Sequence, residues 1–510
     1  MITSLYKKPE ESDEIWFNFK VKTAFITFYF TLLGFVALYG VHLYWLIILY
    51  IKNRHRQLDA PPGTLGRIDF PIVTVQLPFY NEKNVALRLI KAVSAFDWPK
   101  DRLEIQILDD STDSTCEDIS TYLHQRKNDG ILLSHMRRGQ RTGYKAGALQ
   151  FGLKQARGDY IAIFDADNLP APDFLKRTIP HFNDDKIGLV QTRWGFLNRS
   201  QSLLARAQAL QLDAHFLIEQ QARFWGGLIF NFNGTGGVWR KQAILDGGGW
   251  QHDTLTEDLD LSFRSQIAGW KFVYDNSIIV ATELPNSISG YKTQQYRWAK
   301  GAVQTFLKLA PRILISKLES RVKIAALFHL TNKFVSLALC LLGILLIPAL
   351  YFRVESGVAK LLLIDLPIFL AGTGSMSLFY SLAYKAERKE KKLSDMLAMP
   401  LLTSVGIGLA VNNSRALISA LMRRQSPFKR TPKSGSIDGG YQPTPIDYLT
   451  GVDRTTFFET ALTAYSFIAI AMAVYLQLYL AVPFLITFFV GYLYFSFKSW
   501  SEVIVQYKLA

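Results

Sequence analysis

From Thr23 to Ile51 the chain carries no Lys, Arg, Asp or Glu. This run narrows the possible folds sharply, because about 20 such residues are enough for a helix to cross a bilayer. Acidic "PEESDE" precedes it and no small-residue cleavage site follows, so it reads as a retained membrane helix rather than a removed signal. Phe334–Phe352 and Leu366–Tyr384 are also uncharged, and Thr460–Phe497 is long enough for two crossings with Pro483 near the turn. Basic "IKNRHR" and "KAERKEKK" follow the first and third runs and are expected on the cytoplasmic side. Met396–Met422 is apolar but flanked by basic segments on both sides, which predicts an interfacial or re-entrant helix. The count is then five crossings with a cytosolic C-terminus.

Between these runs, from about Ile68 to Pro311, the pattern changes. Short β-branched stretches ("PIVTVQLPF", "LEIQIL", "YIAIFDAD") alternate with helical ones ("VALRLIKAVSAF", "AGALQFGLKQA"). Continuous apolar strands between helices predict an α/β domain with a mostly parallel sheet covered on both faces. The expected layout is an N-terminal segment with the first membrane helix (1–56), a cytosolic catalytic domain (57–320) and a membrane region (321–510).

Lys and Arg number 57 against 42 Asp and Glu, a net charge of +15. That balance suits an anionic lipid surface or a phosphate-bearing substrate. Nucleic acid ranks low, since no strand aromatics accompany the basic runs. The two cysteines, Cys116 and Cys340, are too far apart in sequence to suggest a metal motif or a disulfide scaffold.

The chemistry-bearing residues fall at strand ends and helix starts. "ILDDSTD" puts Asp109 and Asp110 after a strand, and "IFDADNLP" puts Asp165 and Asp167 two apart at another strand end. Carboxylates two apart can project to one side, where a hard cation such as Mg²⁺ or Mn²⁺ relieves their repulsion. A lone pair of this kind is usually a solvated turn; two pairs at successive strand ends of one domain are harder to dismiss. In "LTEDLDLSF", Thr256 reads as an N-cap with Glu257 and Asp258 in the first turn. Capping and dipole compensation would explain them, but a carboxylate there can also serve as a general base. In "QQYRWAKG", Arg297 offers a forked phosphate donor and Trp298 a flat face for a sugar ring. Alone, that pair would read as a helix packed at a membrane surface.

Taken together, Asp109-Asp110, Asp165-x-Asp167, Thr256-Glu257-Asp258 and Gln294-x-x-Arg297-Trp298 resemble the signature of processive family 2 glycosyltransferases, the cellulose, chitin and hyaluronan synthases. "LPFYNE", "GYKAGAL", "QTRW" and "FNGTGGVWR" agree with it, and "WPKDRLEIQILDDSTD" looks especially like the cellulose-synthase-like glucomannan and glucan synthases. The resemblance covers about Arg67–Ala310. It extends more weakly to "SPFKRTPKSG" (Ser426–Gly435), which is similar to the gating loop of cellulose synthases through Phe428, Thr431 and Lys433 and otherwise reads as a solvated basic linker.

The resemblance implies a GT-A fold and inverting single displacement from a nucleotide-diphosphate sugar onto a growing polysaccharide at the bilayer. Asp165 and Asp167 would hold the divalent cation. Asn81, Glu82, Asp109, Asp110, Lys145, Asp165 and Arg297 would surround the nucleotide sugar, with UDP-glucose ranked ahead of GDP-mannose. Asp258 would be the base, and Thr256, Glu257, Gln294 and Trp298 would hold the acceptor. Accessory subunits are compatible with this and nucleic acid is not expected. The rivals are a non-processive transferase to a lipid carrier, a transporter hinted at by Lys333 and Asp365, and a structural membrane protein.

Overall fold

The computed structural model describes residues 11–56, 58, 70–125, 130–356, 366–387, 398–428, 430, 431, 433, 435 and 453–509. The α/β region is built on seven strands: β1 (Val73–Phe79), β2 (Leu103–Asp109), β3 (Leu132–Arg137), β4 (Tyr160–Ile163), β5 (Ile187–Phe196), β6 (Gly237–Arg240) and β7 (Lys271–Thr282). Their order is β3-β2-β1-β4-β6-β5-β7. Four pairings are parallel, and only β6 runs antiparallel, to both β4 and β5. The expected mostly parallel sheet is therefore present, as a mixed sheet with one reversed strand.

β1 and β2 are buried on both faces, which explains their nearly unbroken apolar character. Their few polar side chains pair with each other in register. Gln76 donates to Gln106 at 3.0 Å, and Thr74 donates to Glu104 at 2.6 Å. Helices α2 (Ala86–Ser94), α3 (Thr115–Gln125) and α4 (Tyr144–Gln155) connect the first strands. A longer helical run follows β5, comprising α5 (Leu203–Asp213), a π-helical turn over Ala214–Gln220 and α6 (Gln221–Trp225).

The topology gathers one edge. β1, β2, β3, β4, β5 and β7 all end there, and reversed β6 begins there, so all seven strands deliver loops to one side. Two helices close that edge: α7 (Glu257–Ile267) and the long α8 (Ile288–Ile315).

The apolar runs form helices, with one difference from expectation. α1 (Glu11–Asn53) contains the first run, and Leu366–Glu387, Arg454–Tyr475 and Tyr479–Tyr507 are likewise long and apolar enough to cross a membrane. Phe334–Phe352, expected as one crossing, is divided instead. α9 (Ser320–Thr331) bends by 52° into α10 (Phe334–Ile344), and α11 (Leu346–Ser356) follows. Pro348 explains the second break: it has no N–H for the carbonyl of Ile344, which instead accepts from Tyr465 Oη at 2.7 Å. With the bent pair counted as one span, the described residues hold up to five candidate crossings. Asp365 lies outside the described residues, and Lys333 sits at the bend between α9 and α10.

The stretch expected to be interfacial or re-entrant is a single unbroken helix, α12 (Ala398–Leu421). It packs against α8, α10 and the helix α14 (Val482–Leu509), which follows α13 (Arg454–Tyr475). Leu402, Val405, Leu409, Ala410 and Leu417 are buried among them.

Candidate active site

The gathered edge opens into a cavity of about 200 Å³. Glu82, Asp110, Lys145, Asp165, Asp167, Thr256, Glu257, Asp258, Gln294, Arg297, Trp298, Phe428, Thr431 and Lys433 all line it. Two of the expected residues, Asn81 and Asp109, do not line it.

Strand alternation separates the first acidic pair. Asp109, the last residue of β2, points away from the cavity, bonds His135 Nε2 at 2.9 Å and accepts from Ser111 N at 2.8 Å. Asp110 faces in and is gripped by the Arg138 guanidinium through two nitrogens, with Nε at 3.0 Å. Asn81 adopts φ 56° and staples two loops together, donating its N–H to Ser111 Oγ and accepting from Thr112 N. Asn81 and Asp109 thus buttress the loops beside Asp110 without lining the cavity.

The second acidic pair stays together. Asp165 takes Lys145 Nζ at 2.5 Å, and that ammonium also donates to Gly234 O at 2.8 Å. Asp167 is buried, and its Oδ2 accepts from Thr282 Oγ1 at 2.6 Å, Glu283 N at 2.9 Å and Lys433 Nζ at 2.8 Å. Burial alone would raise Asp167, but Lys433 and these donors hold its carboxyl below the usual range. Glu82 lies close by; burial pushes it up to about 8 despite Arg430 at 3.3 Å, and its Oε2 is buried without a partner. Glu82, with its orphaned oxygen, and the Asp165/Asp167 pair line one cavity without closing to within 4.8 Å of one another, and oxygen donors of this kind suit a hard divalent cation.

Thr256 occupies the N-cap position of α7, but its side chain makes no capping bond and lies 3.5 Å from Thr305 Oγ1 on α8. Gly301 permits that approach, because a Cβ there would meet the Thr256 side chain at 2.5 Å. Asp258 follows in the first turn, with Oδ1 accepting from Leu259 N at 2.8 Å. Burial and the neighbouring Glu257 carboxylate push Asp258 up to about 7. Gly234 brings the backbone against it: φ is +81°, and a Cβ there would lie 3.0 Å from Asp258 Oδ2.

α8 supplies the remaining wall. Gln294, Arg297 and Trp298 line the cavity from three positions on that helix. Arg297 donates to Thr431 Oγ1 at 3.0 Å and lies 4.4 Å over the Phe428 ring, which stacks on Tyr144. Burial lowers the Arg297 guanidinium to about 10, which leaves it charged at neutral pH. The 426–435 segment thus lies against the site through residues far away in sequence.

Several lining residues carried no sequence signal of their own. Arg430 reaches Glu82 across some 350 positions, and Arg141 lies 3.3 Å over the Tyr80 ring. Asn233 and Trp194 lay inside the quoted stretches "FNGTGGVWR" and "QTRW" without being singled out.

Residues 71–301 match the model of the family described as "Glycosyltransferase like family 2". Glucomannan 4-beta-mannosyltransferase 1 of Oryza sativa subsp. japonica is 38% identical over 320 residues, 60% of this chain and 61% of that protein. Glucomannan 4-beta-mannosyltransferase 2 of Arabidopsis thaliana is 43% identical over 281 residues, 53% of each. The matched part is less than two thirds of these relatives' length. Among solved structures, mannosyltransferase PcManGT from Pyrobaculum calidifontis, in complex with GDP-Man and Mn²⁺, aligns over 76% of this chain and 100% of its own, at TM-score 0.50 and 19% identity. That likeness concerns the fold. The sheet, the acidic strand ends and the α8 motif share one cavity, and the domain spanning residues 71–301 belongs to the family 2 glycosyltransferases, on a GT-A fold.

Proposed function

We propose that the chain is a membrane-embedded, inverting, processive β-glycosyltransferase that adds mannosyl units from GDP-mannose to a β-linked polysaccharide of the glucomannan type. One observation carries the reaction class: a half-buried carboxylate with its pKa raised to about 7, Asp258, shares a cavity with the Asp165/Asp167 pair, Arg297 and Trp298. The donor rests on the relatives, whose names specify mannosyl transfer. This reverses the order suggested by the sequence, which placed UDP-glucose first. The catalytic domain is assigned to the cytosolic face from the basic segments flanking the spans.

Asp258 takes the proton of the acceptor hydroxyl as that oxygen attacks the anomeric carbon from the face opposite the diphosphate. No covalent sugar–enzyme bond is needed. Arg297 and Lys433 bring positive charge to the place where the departing diphosphate gains negative charge. Asp165 and Asp167, with Glu82 beside them, would hold a divalent cation, Mg²⁺ or Mn²⁺. When bound, such a cation supplies further charge stabilisation to the leaving group. Lys145 orients Asp165 and ties it to the Gly234 loop. Gln294 and Trp298 hold the terminal acceptor sugar, and the adjoining apolar helices offer the polymer a way out.

The test supplies membranes containing the protein with GDP-mannose, GDP-glucose, UDP-glucose or UDP-N-acetylglucosamine in separate reactions, then digests the product with linkage-specific hydrolases. Polymer from GDP-mannose cut by a β-1,4-mannanase supports the proposal. Polymer from UDP-glucose alone overturns the donor assignment, and single transfer to lipid overturns processivity.

A further inference from the structure

Behind the cavity wall lies a cluster of titratable side chains that the reaction above does not use. Glu219, in the π-helical turn, has its Oε2 3.0 Å from His215 Nδ1. On Oε1 it meets His329 Nδ1 at 3.2 Å and Arg223 Nε at 2.9 Å. Burial would raise this carboxyl, but Arg223 and the two imidazoles outweigh it and hold it well below the usual range. The other imidazole nitrogens reach two amides: His215 Nε2 is 3.0 Å from Asn233 Oδ1, and His329 Nε2 is 3.1 Å from Asn231 Oδ1. Asn231 Nδ2 then donates to Asn233 Oδ1 at 3.0 Å, closing a ring of five side chains.

One group fixes the direction of this ring. Asn231 Nδ2 also lies 3.1 Å from the carbonyl of Phe232, which can only accept. The Asn231 nitrogen must therefore be on that side, so Asn233 turns its oxygen into the ring. Both imidazoles thus face an amide oxygen through Nε2 and the Glu219 carboxylate through Nδ1. Asn233 Nδ2 is left outside the ring, buried and without a hydrogen-bond partner, on a residue that lines the cavity. The next residue is Gly234, which abuts Asp258 and Lys145. Trp194 Nε1 is a second buried, unpartnered N–H on a residue lining the same cavity.

We infer that the Asn233 amide N–H binds a hydroxyl of the hexose beside Asp258, with His215, Glu219, His329 and Asn231 as its positioning residues. The inference rests on the glycosyl-transfer reading and adds a hydroxyl contact to it. A buried donor with no partner is unfavourable until a ligand satisfies it, and a sugar hydroxyl beside the base is the group within the chemistry of this cavity that does so. A site built this way rejects a sugar lacking that hydroxyl, because the amide is then left unpaired. The hydroxyl belongs to the donor or the acceptor ring, and kinetics separate the two.

The test uses the full chain purified in detergent. Asn233→Asp keeps the shape and both accepted bonds but loses the N–H. It should lower kcat/KM on the order of 10- to 100-fold and raise KM for one sugar substrate, as expected for loss of a specifying hydrogen bond. Binding of the nucleoside diphosphate that the wild-type protein binds should change less than about twofold, since the inferred contact is to a sugar hydroxyl and not to the diphosphate. A raised donor KM places the hydroxyl on the donor ring, and a raised acceptor KM places it on the acceptor. His215→Leu should cost part of the same activity. The double variant His215→Leu/Asn233→Ala should be no worse than Asn233→Ala, because His215 acts through Asn233. Wild-type kinetics in Asn233→Asp overturn the inference, as do losses that multiply in the double variant. Absence of transfer by the wild-type chain from every donor tried would sink the parent reading and this one with it, and would be seen before any variant is made.

Discussion

Asp258, half-buried, and Asp109, buried, both stand beside a second acid, yet only one faces the cavity. Asp109 points into the scaffold and is satisfied by His135 and Ser111. Asp258 has one backbone donor and a carboxylate neighbour, so burial and repulsion push it up to about 7. A base must be ionised to act, so transfer should fall as pH drops through about 7 and level off above it. Because Glu257 is also raised by burial beside it, the limb belongs to the pair of carboxylates rather than to one residue. A pH series of initial rates at saturating donor checks this; a flat profile from pH 6 to 8 would remove Asp258 from the base role. Asp258→Asn keeps the shape without the basicity. It should abolish the limb and lower kcat about 10²- to 10⁴-fold with nucleotide affinity retained. Rates within tenfold of wild type would contradict the assignment.

At the scale of elements, small residues decide how closely the apolar helices approach. Gly408 on α12 faces Gly491 on α14, where a Cβ on Gly491 would lie 2.3 Å from Ser404 O. Small residues at such crossings let helix backbones meet, which is a main source of affinity between helices in lipid. Gly491→Val should therefore force α12 and α14 apart. The expected result is a thermal midpoint in detergent lowered by several degrees, with Gly408→Val behaving alike and the two together less than additive. An unchanged midpoint in both single variants would show that this crossing carries little stability. The described residues of the 426–435 segment illustrate another case, placed by polar contacts together with the Phe428 ring on Tyr144. Lys433 meets Asp167 and Glu283 O, Thr431 meets Arg297, and Arg430 meets Glu82.

At the scale of the whole molecule, the catalytic domain and the membrane helices are joined by buried charge. Lys292, one turn into α8, bonds Glu459 of α13 at 2.7 Å and Ser499 of α14 at 3.2 Å, and both charged groups are buried. Removing one member of a buried pair leaves the other uncompensated, at a cost of about 3–5 kcal/mol. Lys292→Met should lower the thermal midpoint strongly, while Lys292→Met/Glu459→Leu should recover most of the loss. A single variant as stable as the wild type, measured by fluorescence-detected unfolding, would show that this bridge does not hold the two parts together.

What the sequence determined by itself was local. Uncharged runs specify membrane-length helices, and β-branched stretches ending in acids specify strands that deliver carboxylates to one edge of a parallel sheet. Asp165, Asp167, Asp258, Arg297 and Trp298 were readable because each lies within a few residues of the strand end or helix that positions it, and all five line the cavity. The tertiary structure decided what depends on contacts between distant segments. Adjacent residues on a strand point to opposite faces, but only the packing chose Asp110 over Asp109 for the cavity. The partners Arg430–Glu82 and Lys433–Asp167, and the ring from Glu219 to Asn233, join side chains with no periodicity in common. Such contacts follow from how helices and loops close over a sheet edge, a property of the packed molecule that no single segment encodes.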